Sequence, residues 1–195
     1  MRPGRRTAWA VALVALLIAS LGMAAPAAAS GPHVKVKVIA SGLDNPRGLT
    51  VDSHGRVLVA LAGQGGPGGY GTSGKIIRIS NGGVRDYRVG LPSVISPEGE
   101  VGGVHNVGVG RHGRVYGIIG GGPQNVDPRF SSLMRLSQGG EQIKTDFQVF
   151  RNAHPDLTDL DQPPNPFDTN VYGLASLKNG KHLVTDAGGN ELLLV

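Results

Sequence analysis

One short pattern occurs three times along the chain, and this repetition limits the fold more than any other feature. Each copy has an apolar run, a polar turn that ends in glycine, and a second apolar run. The copies are RGLTVDSHGRVLVALAG at Arg47–Gly63, HNVGVGRHGRVYGIIGGG at His105–Gly122 and NVYGLASLKNGKHLVTDAGGN at Asn170–Asn190. Their turn glycines, Gly55, Gly113 and Gly180, are 58 and 67 residues apart. A long internal repeat of this kind predicts an array of similar structural units.

Each copy has the pattern of β structure. In the first copy, apolar residues alternate with other residues on both sides of the Ser53–Gly55 turn. Gly74–Ile79 and Val84–Val89 then predict a third and a fourth strand joined by a hairpin turn. The second copy continues in the same way, with strands predicted at Leu133–Leu136 and Gln142–Phe150, and no segment after the N-terminus has a sustained helical period. We therefore expect an all-β fold of four-stranded units, which is typical of β-propeller blades.

The repeat predicts about three blades, at residues 44–103, 104–168 and 169–195, the third of them incomplete. Closed propellers have four to eight blades, so three blades correspond to half of a six-bladed ring. Two interpretations follow. Either the chain is a fragment of a longer propeller protein, which its abrupt end favours, or two copies form a homodimer that completes one ring. In the homodimer, an alternating strand predicted at His33–Val38 would complete the last blade of the other copy.

Residues 1–29 have the pattern of a secretory signal peptide. Arginines precede an apolar run from Ala8 to Leu21, and small residues lead to a cleavage-type site at Ala29. The alternative, a membrane anchor, is disfavoured because the apolar run is short for a spanning helix. We therefore expect a secreted, extracellular domain at residues 30–195 with no membrane span after removal of the signal.

Charge and cysteine content exclude two further classes. The chain has 19 Lys and Arg against 14 Asp and Glu, and three of the arginines fall in the predicted signal peptide. The remaining charges are close to balanced and form no basic cluster, so we expect no nucleic-acid partner. The chain has 0 Cys, which excludes disulfide bonds and thiolate metal sites.

Four segments resemble one known family: SGLDNPRGLTVDSHGRVLVALAG, GLPS, PEGEVGGVHNVGVG and the third repeat copy. They are similar to the ScyD/ScyE family, secreted propeller-like proteins named after cyanobacterial scytonemin-biosynthesis loci. The resemblance covers about Val36 to Val195 and implies a propeller-like fold, usually with several more strands, but no established chemistry. Sugar-acid lactonases and quinone-dependent sugar dehydrogenases share parts of the same pattern. The chain departs from the family at Leu61, where members more often have an acidic residue.

The same topology predicts where functional side chains meet. In a propeller, the loop before each first strand and the loop after each second strand emerge on one face. Polar residues at these positions are therefore expected to converge near one mouth of the channel. The expected ligand-binding residues are Arg47, His105, Asn106, Asn170 and Tyr172. The expected metal ligands are Glu100, Asp186 and Asn190.

Three kinds of role fit these residues. Carboxylate and amide oxygens suit Ca²⁺, which is the cofactor that this set would hold. A histidine beside a carboxylate would instead serve as a general base. Asn and Asp at strand ends also satisfy backbone groups of turns without any further role. Arg47 and His105 are the strongest candidates for function because neither is a preferred turn residue.

The sequence favours a secreted scaffold that binds a small molecule, a glycan or a protein partner through this polar mouth. One alternative is an enzyme, either a calcium-dependent lactonase-like hydrolase or a sugar oxidoreductase. The other alternative is a truncated, non-functional fragment.

Overall fold

The computed structural model describes residues 35–81, 83–158 and 163–195. The predicted signal peptide lies outside these ranges, as do His33 and Val34 of the predicted N-terminal strand. Lys35–Val38 form no strand, and Val36 is 90% exposed. In the single chain, this segment therefore pairs with no other described strand. Ile39–Val195 form one compact unit, which is the subject of the following sections.

The unit is mostly β and its sheets are antiparallel, which confirms the predicted β class. Eight strands form one sheet in sequence order. They are β1 Pro46–Val51, β2 Val57–Leu61, β3 Tyr70–Ser80, β4 Gly83–Ile95, β5 Val101–Val109, β6 Val115–Gly120, β7 Ser132–Ser137 and β8 Gly140–Asp146. Three further strands form a second sheet: β9 Val171–Ser176, β10 His182–Asp186 and β11 Glu191–Leu194. Short 3₁₀ turns lie at Pro67–Gly69 and Arg111–Gly113, and one α-helix, α1, spans Phe147–Ala153.

The eight-stranded sheet consists of two four-stranded meanders that join at one corner. Strands β4 and β5 pair only through Val94 with Gly102 and Ile95 with Val101. The other neighbouring strands of the sheet pair over most of their length. The sheet is open, since β1 and β8 stand at its two ends.

The predicted strand at Gln142–Phe150 is wrong in its last four residues. Strand β8 ends at Asp146, and the chain then turns into helix α1. The Asp146 carboxylate accepts a hydrogen bond from the backbone N–H of Val149 (3.1 Å), which caps the helix. Phe147 and Arg151, one helical turn apart, are both buried. Capping and this buried face together outweigh the strand-like alternation of Phe147–Phe150.

Apolar clusters on both faces of the second meander hold the sheets together. Val115 and Ile119 of β6 belong to a cluster that includes Leu58 and Ile76 of the first meander. Ile118, on the opposite face of β6, belongs to a cluster that includes residues of β9 and β10. Successive side chains of a strand point to opposite faces, so one short strand contributes to both clusters. Each fully buried aliphatic side chain stabilises the fold by about 1.5–3 kcal/mol.

A polar network also joins the two meanders. Asp127 accepts hydrogen bonds from the Tyr70 hydroxyl (2.7 Å) and from the Arg129 guanidinium (2.7 Å). Arg129 also binds Glu141 (2.8 Å), which in turn binds Arg88 of β4 (2.7 Å). Burial of the carboxyl acts to raise the pKa of Asp127, but the bonds from Arg129 and Tyr70 outweigh it and lower the pKa to about 2.

The first strands of the three repeat copies lie side by side. Strand β5 contacts β1 on one side and β9 on the other. Glycines make this close approach feasible, because a Cβ at Gly48 would collide with the side chain of Asn106. A Cβ at Gly108 would likewise meet Ser176 Oγ at 2.7 Å. This arrangement brings the beginnings of β1, β5 and β9 to one region. In the described part of the chain, no helix is long and apolar enough to cross a membrane.

Candidate functional site

A cavity of about 550 Å³ opens where the first strands begin. Side chains from β1 and β5, from the β4–β5 connection and from the start of β9 line it. The lining residues are Asn45, Arg47, Val94, Ser96, Gly99, Glu100, Val101, Gly102, His105, Gly121, Pro123, Asn170 and Tyr172. A cavity of this volume is in the range that binds small molecules.

Three of these residues occupy equivalent positions in the repeat. Arg47, His105 and Tyr172 each precede the turn glycine of their copy by eight residues. The equivalent strand starts meet, so the three side chains converge on one cavity although their chemistry differs. The repeat has therefore placed a cation, an imidazole and a phenol at corresponding points of one site.

Arg47 is held by two neutral acceptors. Its Nη1 donates to the Tyr172 hydroxyl oxygen (3.2 Å), and its Nη2 donates to the backbone carbonyl of Val101 (3.0 Å). The Nε atom of Arg47 is buried and has no hydrogen-bond partner among the described residues. A guanidinium has five N–H donors, so this cation retains unused donors beside the cavity.

His105 is buried, at 4% exposure, and its tautomer is fixed by a backbone bond. Its Nδ1 lies 3.1 Å from the carbonyl oxygen of Val171. A carbonyl only accepts, so Nδ1 carries the proton and Nε2 carries the lone pair in the neutral ring. Burial lowers the pKa of His105 below its usual value, and the Arg47 charge lowers it further, against the opposing effect of the Val171 bond. The imidazole is therefore neutral at pH 7.

Tyr172 connects the other two residues. Its ring packs on the imidazole of His105, with the ring centroids 4.6 Å apart and the planes tilted by 43°. Its hydroxyl oxygen accepts from Arg47, which leaves the hydroxyl proton to be donated elsewhere. The ring is thus fixed by contacts at both its face and its edge.

Asn170 contributes a second polar atom without a partner. Its backbone is fixed at the start of β9, since its N–H donates to Asp186 (2.7 Å) and its carbonyl accepts from Ala187 (3.0 Å). Its side-chain Oδ1 is buried and makes no hydrogen bond within the described ranges. Buried polar atoms are nearly always paired in proteins, so Asn170 Oδ1 and Arg47 Nε are exceptions among the residues that line the cavity.

Asn106 was expected in this site, and the structure places it elsewhere. Its Oδ1 accepts from the N–H of Val107 (2.9 Å), and its side chain lies against Gly48 of β1. The physical reason is a β-bulge: the register of β5 with β6 shifts at His105, which has no partner residue on β6, and Asn106 takes the next paired position with its side chain against β1. Asn106 therefore packs between strands and does not line the cavity.

The three predicted metal ligands lie in different settings. Glu100 lines the cavity on an exposed turn that Ser96 closes, with its N–H donating to Ser96 Oγ (3.2 Å). Asn190 has an exposed amide that donates to Asp156 (3.3 Å). Asp186 is buried among internal donors, described next. Among the residues that the structure describes, no group of three or more His, Cys, Asp or Glu side chains is arranged to hold a metal ion.

The Asp186 carboxylate serves the turn after β10. It accepts from Thr169 Oγ1 (2.8 Å) and from the N–H groups of Asn170 (2.7 Å) and Gly188 (3.1 Å). The buried guanidinium of Arg151 lies 3.6 Å away and also binds Glu191. These bonds occupy both carboxylate oxygens and anchor helix α1 to the second sheet.

Sequence reasoning placed Glu100 of the β4–β5 connection at the site but missed the rest of that connection. The cavity is lined by Ser96 and Gly99, and the Val101 carbonyl supports it by accepting a hydrogen bond from Arg47. The short pairing of β5 with the end of β4 holds this connection beside the cavity. The SPEGE segment at 96–100 is a turn pattern directly before the second repeat copy. The position of this turn could have been used to predict that it lies at the site. The sequence does not indicate that a backbone carbonyl binds Arg47.

Comparisons with known proteins give only distant structural similarity. No protein family and no curated protein matches the chain. A catalytically inactive variant of virginiamycin B lyase from Staphylococcus aureus with quinupristin is 17% identical, with a TM-score of 0.35, and the match covers 80% of this chain and 39% of the lyase. A selenomethionine-substituted form of the same lyase is 11% identical, with a TM-score of 0.34 and coverage of 75% and 54%. The chain spans about half or less of these structures, and similarity at this level assigns no function.

Proposed function

We propose that this protein is a propeller-like scaffold that binds a small polar molecule in the cavity formed by Arg47, His105 and Tyr172. One observation carries the proposal: equivalent residues of three repeat copies converge on a single cavity and contact one another there. A purely structural strand start has no need for a guanidinium, an imidazole and a phenol at equivalent positions of three repeat copies. The resemblance to the ScyD/ScyE family is consistent with this function and stays a prediction.

The architecture within this proposal is three successive blades of an incomplete ring. Two four-stranded meanders and a three-stranded sheet, with their first strands side by side, support it. The ring would be completed by further blades of a longer protein or by a second copy of this chain. Size-exclusion chromatography with light scattering distinguishes these, because a stable homodimer is expected only in the second case.

Export is part of the same proposal, and it rests on the N-terminal sequence pattern. Expression of the full chain in a secreting bacterium, followed by N-terminal sequencing of the exported protein, tests it. A mature start close to Ser30 supports a secreted scaffold. A protein retained with its N-terminus intact would contradict it.

The binding proposal is tested by mapping ligands onto the protein in solution. A library of small polar compounds is titrated into ¹⁵N-labelled protein, and amide shifts are followed. We expect hits to perturb the lining residues around His105, Val101 and Tyr172 together. A library whose hits perturb only residues outside the cavity would contradict the proposal. The matched control is the cavity beneath the Asp52–Arg56 turn, about 130 Å³ in volume, which should respond to few compounds.

A second candidate function is hydrolysis with His105 as general base. The neutral ring, its fixed tautomer and the free Nε2 lone pair favour it. In this reaction Nε2 accepts a proton from water while the water oxygen attacks an ester or lactone carbonyl. The test is acid release from a panel of sugar lactones by the wild-type protein, His105→Gln and the exposed control His112→Gln. Activity lost only in His105→Gln supports the enzyme, and equal rates in all three proteins refute it.

A further inference from the structure

We propose that the ligand of this cavity carries a carboxylate, which Arg47 binds, and a hydroxyl group, which His105 binds. This inference rests on the proposed binding function and specifies the class of ligand, a hydroxycarboxylate. The juxtaposition of Arg47, His105 and Tyr172 around one cavity carries it.

Arg47 differs from the arginines that hold the sheets together. Arg56, Arg88, Arg129 and Arg151 each pair with a carboxylate, at N–O distances of 2.6 Å to Asp52, 2.7 Å to Glu141, 2.7 Å to Asp127 and 3.6 Å to Asp186. Arg47 is half-buried and forms no ion pair within residues 35–81, 83–158 and 163–195. Its described partners, the Tyr172 hydroxyl and the Val101 carbonyl, are neutral. A partly buried cation without a counter-charge favours an anionic ligand.

The geometry of Arg47 suits a carboxylate in particular. The two existing bonds use one hydrogen on each terminal nitrogen, so other N–H groups of the planar fork remain. Because those two bonds fix the orientation of the guanidinium, little rotamer entropy remains to be lost on binding. A carboxylate matches the spacing of two neighbouring N–H groups and forms charge-assisted bonds with both.

His105 complements this group without adding charge. Its Nε2 lone pair accepts hydrogen bonds, so it suits a hydroxyl donor and disfavours a second carboxylate. The Tyr172 hydroxyl, whose oxygen already accepts from Arg47, is free to donate to a ligand oxygen. The lining therefore offers one cation, one acceptor and one donor close together.

Glu100 sets a limit on ligand charge. It lines the same cavity on an exposed turn, so its carboxylate faces solvent and is not paired with Arg47. An anion with a second carboxylate would be repelled by it. A monocarboxylate is therefore expected to bind more tightly than a dicarboxylate of similar size.

Gluconate and glucitol form a matched pair of probes for this inference. They share the carbon chain and its hydroxyl groups, but glucitol has a neutral CH₂OH in place of the carboxylate. We expect gluconate to bind the wild-type protein at least about tenfold more tightly than glucitol, from the added charge-assisted bonds, as measured by NMR titration. The preference should shrink as salt is raised.

Two variants that remove charges of opposite sign should change gluconate binding in opposite directions. Arg47→Gln should remove the preference for gluconate, and Glu100→Gln should strengthen gluconate binding about twofold to fivefold by removing an exposed like charge. The exposed Arg111→Gln is the control for a general change of net charge and should leave both affinities unchanged.

Three outcomes would overturn the inference. They are equal affinity for gluconate and glucitol, a gluconate preference that survives Arg47→Gln in a folded protein, and the absence of gluconate binding to the wild-type protein. If Arg47→Gln does not fold, the comparison of gluconate with glucitol on the wild-type protein still tests the inference. Neutral compounds that bind in the cavity while gluconate does not would refute the carboxylate and leave the binding function intact. If no compound binds in the cavity, both the carboxylate inference and the proposed binding function are refuted.

Discussion

Arg47 Nη1 donates a hydrogen bond of 3.2 Å to the hydroxyl oxygen of Tyr172, 125 residues further along the chain. The bond connects the beginning of β1 with the beginning of β9, and both strands contact β5 between them. It therefore fixes the relative position of the first and third repeat copies at the cavity. Stability and binding are expected to depend on it together.

Tyr172→Phe removes the acceptor and keeps the ring that packs on His105. We expect the free energy of unfolding to fall by about 1 kcal/mol, the usual worth of one hydrogen bond. The affinity of any cavity ligand should fall as well, because the Arg47 guanidinium is then held only by Val101. Urea unfolding and NMR titration measure the two effects. Tyr116→Phe, in a second tyrosine–histidine ring pair, is the control and should leave ligand affinity unchanged.

Protonation of His105 should destabilise the protein. Burial lowers the pKa of His105 from 6.5 in the folded state, so the unfolded chain binds the proton more readily. The stabilising contribution of the neutral ring is therefore complete above pH 6.5 and is lost as the pH falls toward the folded-state pKa. Urea unfolding between pH 7.5 and 5 measures this loss, and His105→Gln should reduce the slope. Burial also lowers the pKa of His182, so a part of the slope should remain. An unchanged slope in the variant would show that His105 titrates normally.

Asp186→Asn should lower the stability of the protein. The substitution removes the charge facing the buried Arg151 and disturbs the acceptors for Thr169 and Asn170. Breaking a buried ion pair costs about 3 kcal/mol, measured as a loss in the free energy of unfolding. The matched control is Asp86→Asn, since Asp86 is 57% exposed and lies 3.6 Å from Lys75. It should change stability by less than about 0.5 kcal/mol. A calcium-dependent melting temperature that disappears in Asp186→Asn would instead restore Asp186 as a metal ligand.

Gly120→Ala should deform the wall of the cavity. A Cβ at Gly120 would collide with the Val171 carbonyl and lie 2.7 Å from His105 Nδ1, the two atoms that fix the histidine tautomer. Overpacking of this kind costs about 1–3 kcal/mol. Gly139→Ala is the control, because nothing lies within 4 Å of its added Cβ, and we expect a change within about 0.5 kcal/mol. Equal melting temperatures for the two variants would show that the residues around Gly120 can shift to accommodate the added Cβ.

The internal repeat was sufficient to predict much of the fold. Apolar alternation around the turn glycines predicted the first two strands of each copy, and the glycine-rich hairpins predicted the third and fourth strands of the first two. Helix α1 was missed because Phe147–Phe150 alternates like a strand, while its N-cap at Asp146 and its buried Arg151 depend on tertiary contacts. The short β4–β5 pairing was also not predictable, since two bridge pairs leave no periodic pattern.

The candidate site was predictable in part for the same reason. Arg47, His105 and Tyr172 share one position in the repeat, so their convergence follows from the equivalence of the strand starts. Asn106 could not have been excluded from the sequence, because the bulge at His105 interrupts the alternation of side chains along β5. The internal role of Asp186 could not be predicted, because its partner Arg151 lies on the unpredicted helix.

Crystal structures of the protein soaked with individual small polar compounds test the central claim most directly. The account predicts that bound compounds concentrate in the cavity, with a polar atom within about 3.2 Å of Arg47 or of His105 Nε2. A cavity that holds only water, while compounds bind at other surfaces of the same crystals, would contradict the assignment of this site as the functional one.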